Sequence, residues 1–200
     1  MSEKSTAPRS GQVRRVTKET EIELSLQLDG SGEVDVDTGI GIFDHLLTAL
    51  AFHARFDLSL TCRGDIHVDD HHTVEDCALA CGQALHDALG DRGGITRFGS
   101  AHVPLDEALA RAVVDLSGRP AAEIHLGLHR EAIGPLACEN ITHFFTSLAQ
   151  AARLALHVDL LRGENDHHRA EAAFKATALA LRQAVAPMGT SQILSTKGVL

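Results

Sequence analysis

Two hundred residues with 44% hydrophobic content suffice for one large domain or two small ones around a substantial core. The formal charge of −9 excludes a protein that holds nucleic acid by neutralising phosphates. No stretch approaches the ~18 apolar residues of a membrane span, so neither nucleic acid nor membrane is an expected partner.

The first ten residues, MSEKSTAPRS, are polar and lack the apolar core of a signal peptide; they read as a disordered tail on a cytoplasmic chain. Residues 11–92 form a first unit. EIELSLQL (21–28) alternates polar and apolar residues, DGSG turns, and EVDVDTG (33–39) alternates again, which predicts a β-hairpin. LDGSG (28–32) superficially matches an Asp-based phosphatase motif, but Gln27 stands where the first Asp would, so Asp-Gly reads as a turn. IFDHLLTALAFHARF (42–56) has helical spacing, DLSLTCRG (57–64) returns to strand, and 71–89 is helical.

Residues 93–189 repeat that order. Strands fall near 111–116 and 121–128, then a helix at 140–153, a strand at 155–161 and an Ala-rich helix at 167–186. Residues 190–200 form a C-terminal tail. Each unit is β-β-α-β-α, so the fold class is α+β: a tandem duplication, with antiparallel sheets carrying helices on one face. The Ala-rich helices predict close packing between halves or between subunits. The four cysteines, Cys62, Cys77, Cys81 and Cys138, include no Cys-x-x-Cys pair, and Cys77 and Cys81 sit four apart on a helix facing the core.

The duplication is visible in the residues themselves. DHHTVE (70–75) recurs as DHHRAE (166–171) at an offset of 96, and DHLLTALA (44–51) recurs as THFFTSLA (142–149) at an offset of 98. Two segments in the same order with nearly the same separation mark two copies of one unit.

Thirteen histidines against no Trp and no Tyr point to metal or acid–base chemistry. At a helix start, residues three or four apart share a face, so His71 or His72 can converge with Glu75, and His167 or His168 with Glu171. Adjacent histidines diverge by about 100° around the axis, which suits a helix lying between two metals. His45 and His143 complete a candidate ligand set of six histidines and two glutamates. Imidazole and carboxylate without thiolate fits octahedral manganese or iron as well as zinc, and two six-coordinate ions would keep open positions for catalysis. The pattern is not HExxH, so a zinc protease is excluded. Asp70 and Asp166 are expected to cap their helices or orient the ligating rings.

The chain resembles the imidazoleglycerol-phosphate dehydratase family in TKETEIELSLQLDGSGE, FDHLL, GDIHVDDHHTVEDCALACGQAL, RFGSAHVPLDEALARAVVDLSGRP, LRGENDHHRAEAAFKA and the terminal STKGVL. The resemblance implies the duplicated fold named for the second domain of a small-subunit ribosomal protein. It implies two manganese ions per active site, held by His45, His71, His72, Glu75, His143, His167, His168 and Glu171. It implies a homo-oligomeric shell of twenty-four subunits with sites shared between them. Substrate contacts carry over to Arg97, Arg119, Lys175, Ser195, Thr196 and Lys197, with Glu19 and His53 close to the substrate. The chain departs from residues frequent in the family at Thr48, Ala49, His102, Ala121 and Leu194, none of them a ligand or phosphate contact.

The implied reaction dehydrates imidazole-glycerol phosphate to imidazole-acetol phosphate in histidine biosynthesis. Metal coordination of the ring favours an imidazolate that expels the neighbouring hydroxyl through a diazafulvene-like intermediate. Loss of a carbon proton gives an enol that tautomerises to the ketone, with Glu19 as the proton-transfer candidate. A two-metal phosphoesterase and a metal-assembled storage shell are the alternatives.

Overall fold

The computed structural model describes residues 8–198. The first sheet takes β1 (Ser10–Val16), β2 (Thr20–Gln27), β4 (Asp57–Gly64) and β3 (Val34–Asp37) in that spatial order; α1 (Gly41–Ala54) joins β3 to β4, and α2 (His71–Leu89) follows β4. The second sheet repeats this with β5 (Phe98–Leu105), β6 (Ala108–Asp115), β10 (Ala155–Arg162) and β7 (Ala121–His125). A small ribbon of β8 (Ala132–Ile133) and β9 (Leu136–Ala137) precedes α3 (Cys138–Ala152), and α4 (Asp166–Ala184) closes the unit.

Alternation sets the faces. In β2, Thr20, Ile22, Leu24 and Leu26 are buried while Glu21, Glu23 and Ser25 are exposed, so one face of the sheet is covered and the other solvated. The helices lie on the covered faces, α2 against α3 and α1 against α4, and the inward residues of both sheets join all four helices in one core. The expected packing between halves is present. All four cysteines are free and buried.

Two glycines repeat with the fold. A Cβ on Gly11 would stand 2.1 Å from the Ala84 carbonyl oxygen, and one on Gly99 would stand 1.9 Å from that of Ala180. Each half thus brings its last helix onto its first strand at a contact only glycine allows.

Two expectations are corrected. Each half is β-β-β-α-β-α, apart from the small β8–β9 ribbon, because β1 and β5 add a strand at its start. Their inward positions are Gly11, Val13 and Arg15 in one, and Gly99, Ala101, Val103 and Leu105 in the other; glycine, alanine and arginine erase the apolar alternation. The hairpin expected from 21–28 and 33–39 does not form. β4 lies between β2 and β3, antiparallel to β2 and parallel to β3, so the sheet is mixed and α1 is a crossover helix. DGSG still turns, but around Asp57, whose Oδ1 accepts from the backbone N–H of Ser31, Gly32 and Glu33 at 2.8, 3.0 and 2.9 Å.

Of the expected N-terminal tail, residues 1–7 lie outside the described residues, whereas Ser10 opens β1 and Arg9 bonds Asp29 and the Val185 carbonyl. Among the described residues no helix is long and apolar enough to cross a membrane.

Candidate metal centres and phosphate cleft

The packing of α1 on α4 brings His45 onto His167 and Glu171, which lie one turn apart. Glu171 Oε2 is 3.0 Å from His45 Nε2 and 3.2 Å from His167 Nε2, and the two rings stack at 5.7 Å. The packing of α2 on α3 does the same for His71, Glu75 and His143. Glu75 Oε1 is 3.0 Å from His143 Nε2, Glu75 Oε2 is 3.9 Å from His71 Nε2, and the rings stack at 5.0 Å. In each triad the donor atoms lie within 4.8 Å of one another. Each therefore takes its candidate ligands from both halves: the upstream histidine of one unit meets the His–Glu pair of the other.

His72 and His168 belong to neither triad. Their rings sit 6.1 Å from those of His71 and His167 at 77° and 80°, the divergence expected of neighbours on a helix. Asp65 contacts His72 Nδ1 at 3.1 Å, and Glu107 contacts His168 Nδ1 at 2.8 Å. On the Nε2 side, Glu19 lies 3.7 Å from His72 and Asp106 lies 3.7 Å from His168. The bond to Asp65 raises the His72 pKa and that to Glu107 raises the His168 pKa; the His168 bond in turn holds the Glu107 carboxyl down at about 2.

Asp70 and Asp166 do not cap their own helices. Asp70 accepts from the Ala137 backbone N–H at 2.8 Å, and Asp166 from those of His129 and Arg130 at 2.9 and 2.7 Å. They tie each His-bearing helix to the segment leading into or beside α3. Capping falls to the preceding residues: Asp69 and Asn165 accept from the backbone N–H of His71 and His167, each at 2.9 Å.

Glu19 is held from behind. The Thr17 hydroxyl accepts from the Glu19 N–H at 3.1 Å, Thr20 donates to the buried Asp76 at 2.5 Å, and Arg15 reaches the same carboxylate at 2.9 Å. Lys175 reaches Glu171 at 2.7 Å. Burial raises the Glu171 carboxyl, but Lys175 and His45 outweigh it and hold the group at about 2. His53, in the last turn of α1, is pushed below its ordinary value by burial and by the charge of Lys175.

The other substrate candidates gather elsewhere. Arg97, Phe98, Arg119 and Gln192 to Lys197 line an open cleft of about 640 Å³ that includes Ser195 and Thr196 but no triad residue. Arg97 bonds Asp115 through Nε and Nη2 at 2.8 and 3.1 Å and donates Nη1 to the Leu194 carbonyl. That last contact is to backbone, so the departure at Leu194 leaves it intact. Arg119 is exposed at the cleft edge.

Asp65, Glu107, Asp106 and Asn140 were not singled out in the sequence. Asn140 Oδ1 contacts His71 Nδ1 at 2.9 Å. Only Glu107 carried a signal, since β1–β2 and β5–β6 align at an offset of 88 that superposes it on Glu19.

A duplicated α+β fold with twin triads of two imidazoles and a carboxylate, donors converging and no thiolate, defines a metal-dependent enzyme of the His/carboxylate class. The family model for imidazoleglycerol-phosphate dehydratase matches residues 38–181. A relative so named from Phytophthora nicotianae is 62% identical over 96% of this chain, which spans 42% of that protein; one from Saccharomyces cerevisiae is 60% identical over 82% of this chain and 74% of its own length. Crystal structures of the Staphylococcus aureus and Pyrococcus furiosus dehydratases superpose with TM-scores of 0.81 and 0.82 at 36% and 37% identity. They cover 89% and 94% of this chain and 99% and 100% of their own. The chain belongs to the imidazoleglycerol-phosphate dehydratase family.

Proposed function

We propose that this chain dehydrates imidazole-glycerol phosphate to imidazole-acetol phosphate in cytoplasmic histidine biosynthesis, at sites that each use two manganese ions. The observation that carries the reading is the twin triads. They offer three ligands each, from nitrogen and oxygen donors, and leave room in an octahedral ion for further ligands. His45, His167 and Glu171 would hold one ion, and His71, Glu75 and His143 the other. Bound metals would supply Lewis-acid activation of the substrate's imidazole and hydroxyl.

The chain's own groups do the rest. The hydroxyl on the carbon beside the ring leaves, the neighbouring carbon loses its proton, and the resulting enol tautomerises to the ketone. Glu19, a carboxylate beside His72 Nε2 and outside both triads, moves the carbon proton. Arg97, Arg119, Ser195, Thr196 and Lys197 hold the phosphate, and binding energy there orients the reacting carbon. Lys175 and His53 border the triad at Glu171 and contact the substrate's polar groups.

His72 and His168 stand apart from both triads, with only Glu19 and Asp106, each at 3.7 Å, facing Nε2 among the described residues. In this reading they complete metal sites of neighbouring copies, in a shell of twenty-four subunits that brings phosphate cleft and triads together. Metal-stripped protein should produce no ketone from imidazole-glycerol phosphate and regain turnover with Mn2+. Glu19→Gln should bind metal and assemble yet lose at least about a hundredfold in kcat. No ketone from the metal-loaded assembly would overturn the reading, and release of inorganic phosphate instead would favour a phosphoesterase.

A further inference from the structure

The two histidines outside the triads are each gripped at Nδ1 by a carboxylate, but the two carboxylates come from different places in the duplicated fold. Asp65 follows directly on β4 and lies 3.1 Å from His72 Nδ1. Gly163 follows directly on β10, and a Cβ there would meet that of Ala108 at 2.9 Å, so the second half has no room for an acid at that point. Its carboxylate comes instead from the β5–β6 turn: Glu107, 2.8 Å from His168 Nδ1. Glu19 occupies the same turn position between β1 and β2, yet it sits across the ring, 3.7 Å from Nε2. One contact has been kept while the residue that makes it has changed.

We propose that Asp65 and Glu107 are positioning residues that fix His72 and His168 with the proton on Nδ1 and Nε2 presented as the metal-binding nitrogen. A neutral imidazole ligates through one nitrogen only, and an acceptor at the other sets both the tautomer and the ring angle. Because Asp65 fills this place in the first half, Glu19 is spared it and faces the ligating side. Glu107 remains tied: its Oε1 also accepts from the backbone N–H of Glu164 and Asn165 at 3.2 and 2.9 Å.

The inference rests on the metal-binding reading above. Metal-free wild type, Asp65→Asn, Glu107→Gln and Glu19→Gln are titrated with Mn2+, free ion being followed by its paramagnetic resonance signal. An amide keeps an oxygen for backbone donors and can turn an N–H toward Nδ1, which would drive the proton to Nε2. Asp65→Asn and Glu107→Gln should each weaken Mn2+ binding about 10–100-fold, Asp65→Glu should restore it, and Glu19→Gln should bind as wild type does. Unchanged affinity in both amide variants, or an equal loss in Glu19→Gln, overturns the inference while leaving the metal site standing. Absence of binding by wild type overturns both. Should Asp65→Asn fail to fold, Glu107→Gln decides alone, since loss of stability without loss of affinity would mark a structural role only.

Discussion

Asp57 shows how one side chain can decide a chain path. Its carboxylate gathers three backbone N–H groups of the β2–β3 connection, and those bonds, led by that from Glu33, hold its pKa below the ordinary value of 3.8. A depressed carboxyl contributes stability that is present above the unfolded value and is lost as pH falls through the folded one. Stability should therefore decline below about pH 4, and Asp57→Ala should flatten that decline while costing about 1–2 kcal/mol at pH 7; chemical denaturation across pH measures both. A variant with wild-type stability at pH 7 would show that the connection holds itself. The six residues of the two triads were legible at this scale because imidazole and carboxylate at helical spacing stand out when they occur twice. Asp65 and Asn140 were not, since an acid after a strand and an amide on a helix carry no pattern until folding brings them to a ring nitrogen.

At the scale of elements, the strong periodicities survived: β4 lies where DLSLTCRG alternates and α2 spans His71–Leu89. What failed were partners and weak strands. Alternation states that a segment is half-buried, not which strand lies beside it, so β4 could insert between β2 and β3 unseen. β1 and β5 were hidden because a close helix demands glycine where apolar residues would signal a strand. Gly99→Ala tests that demand. A methyl group forced onto the Ala180 carbonyl should cost about 1–3 kcal/mol and lower the thermal midpoint by several degrees. Scanning calorimetry would show no shift if α4 can slide away from β5 freely.

The crossing of candidate ligands between halves is a property of the whole molecule. Neither unit holds a complete triad: His45 needs His167 and Glu171, and His143 needs His71 and Glu75. Residues 1–92 and 93–200 produced as separate chains should each bind Mn2+ weakly, and the two expressed together should recover tight binding, read by equilibrium dialysis. Tight binding by either piece alone would contradict the crossing. An ancestor with a single unit would have met the same requirement by pairing with a copy of itself about a two-fold axis, each lending its histidine to the other. Such a pair is bound to be symmetric, because one gene writes both sides of it. A single chain carrying both units is free of that bond. Its two turn glutamates need not match, and Glu107 bonds His168 Nδ1 while Glu19 lies on the Nε2 side of His72, a difference closed to any symmetric homodimer.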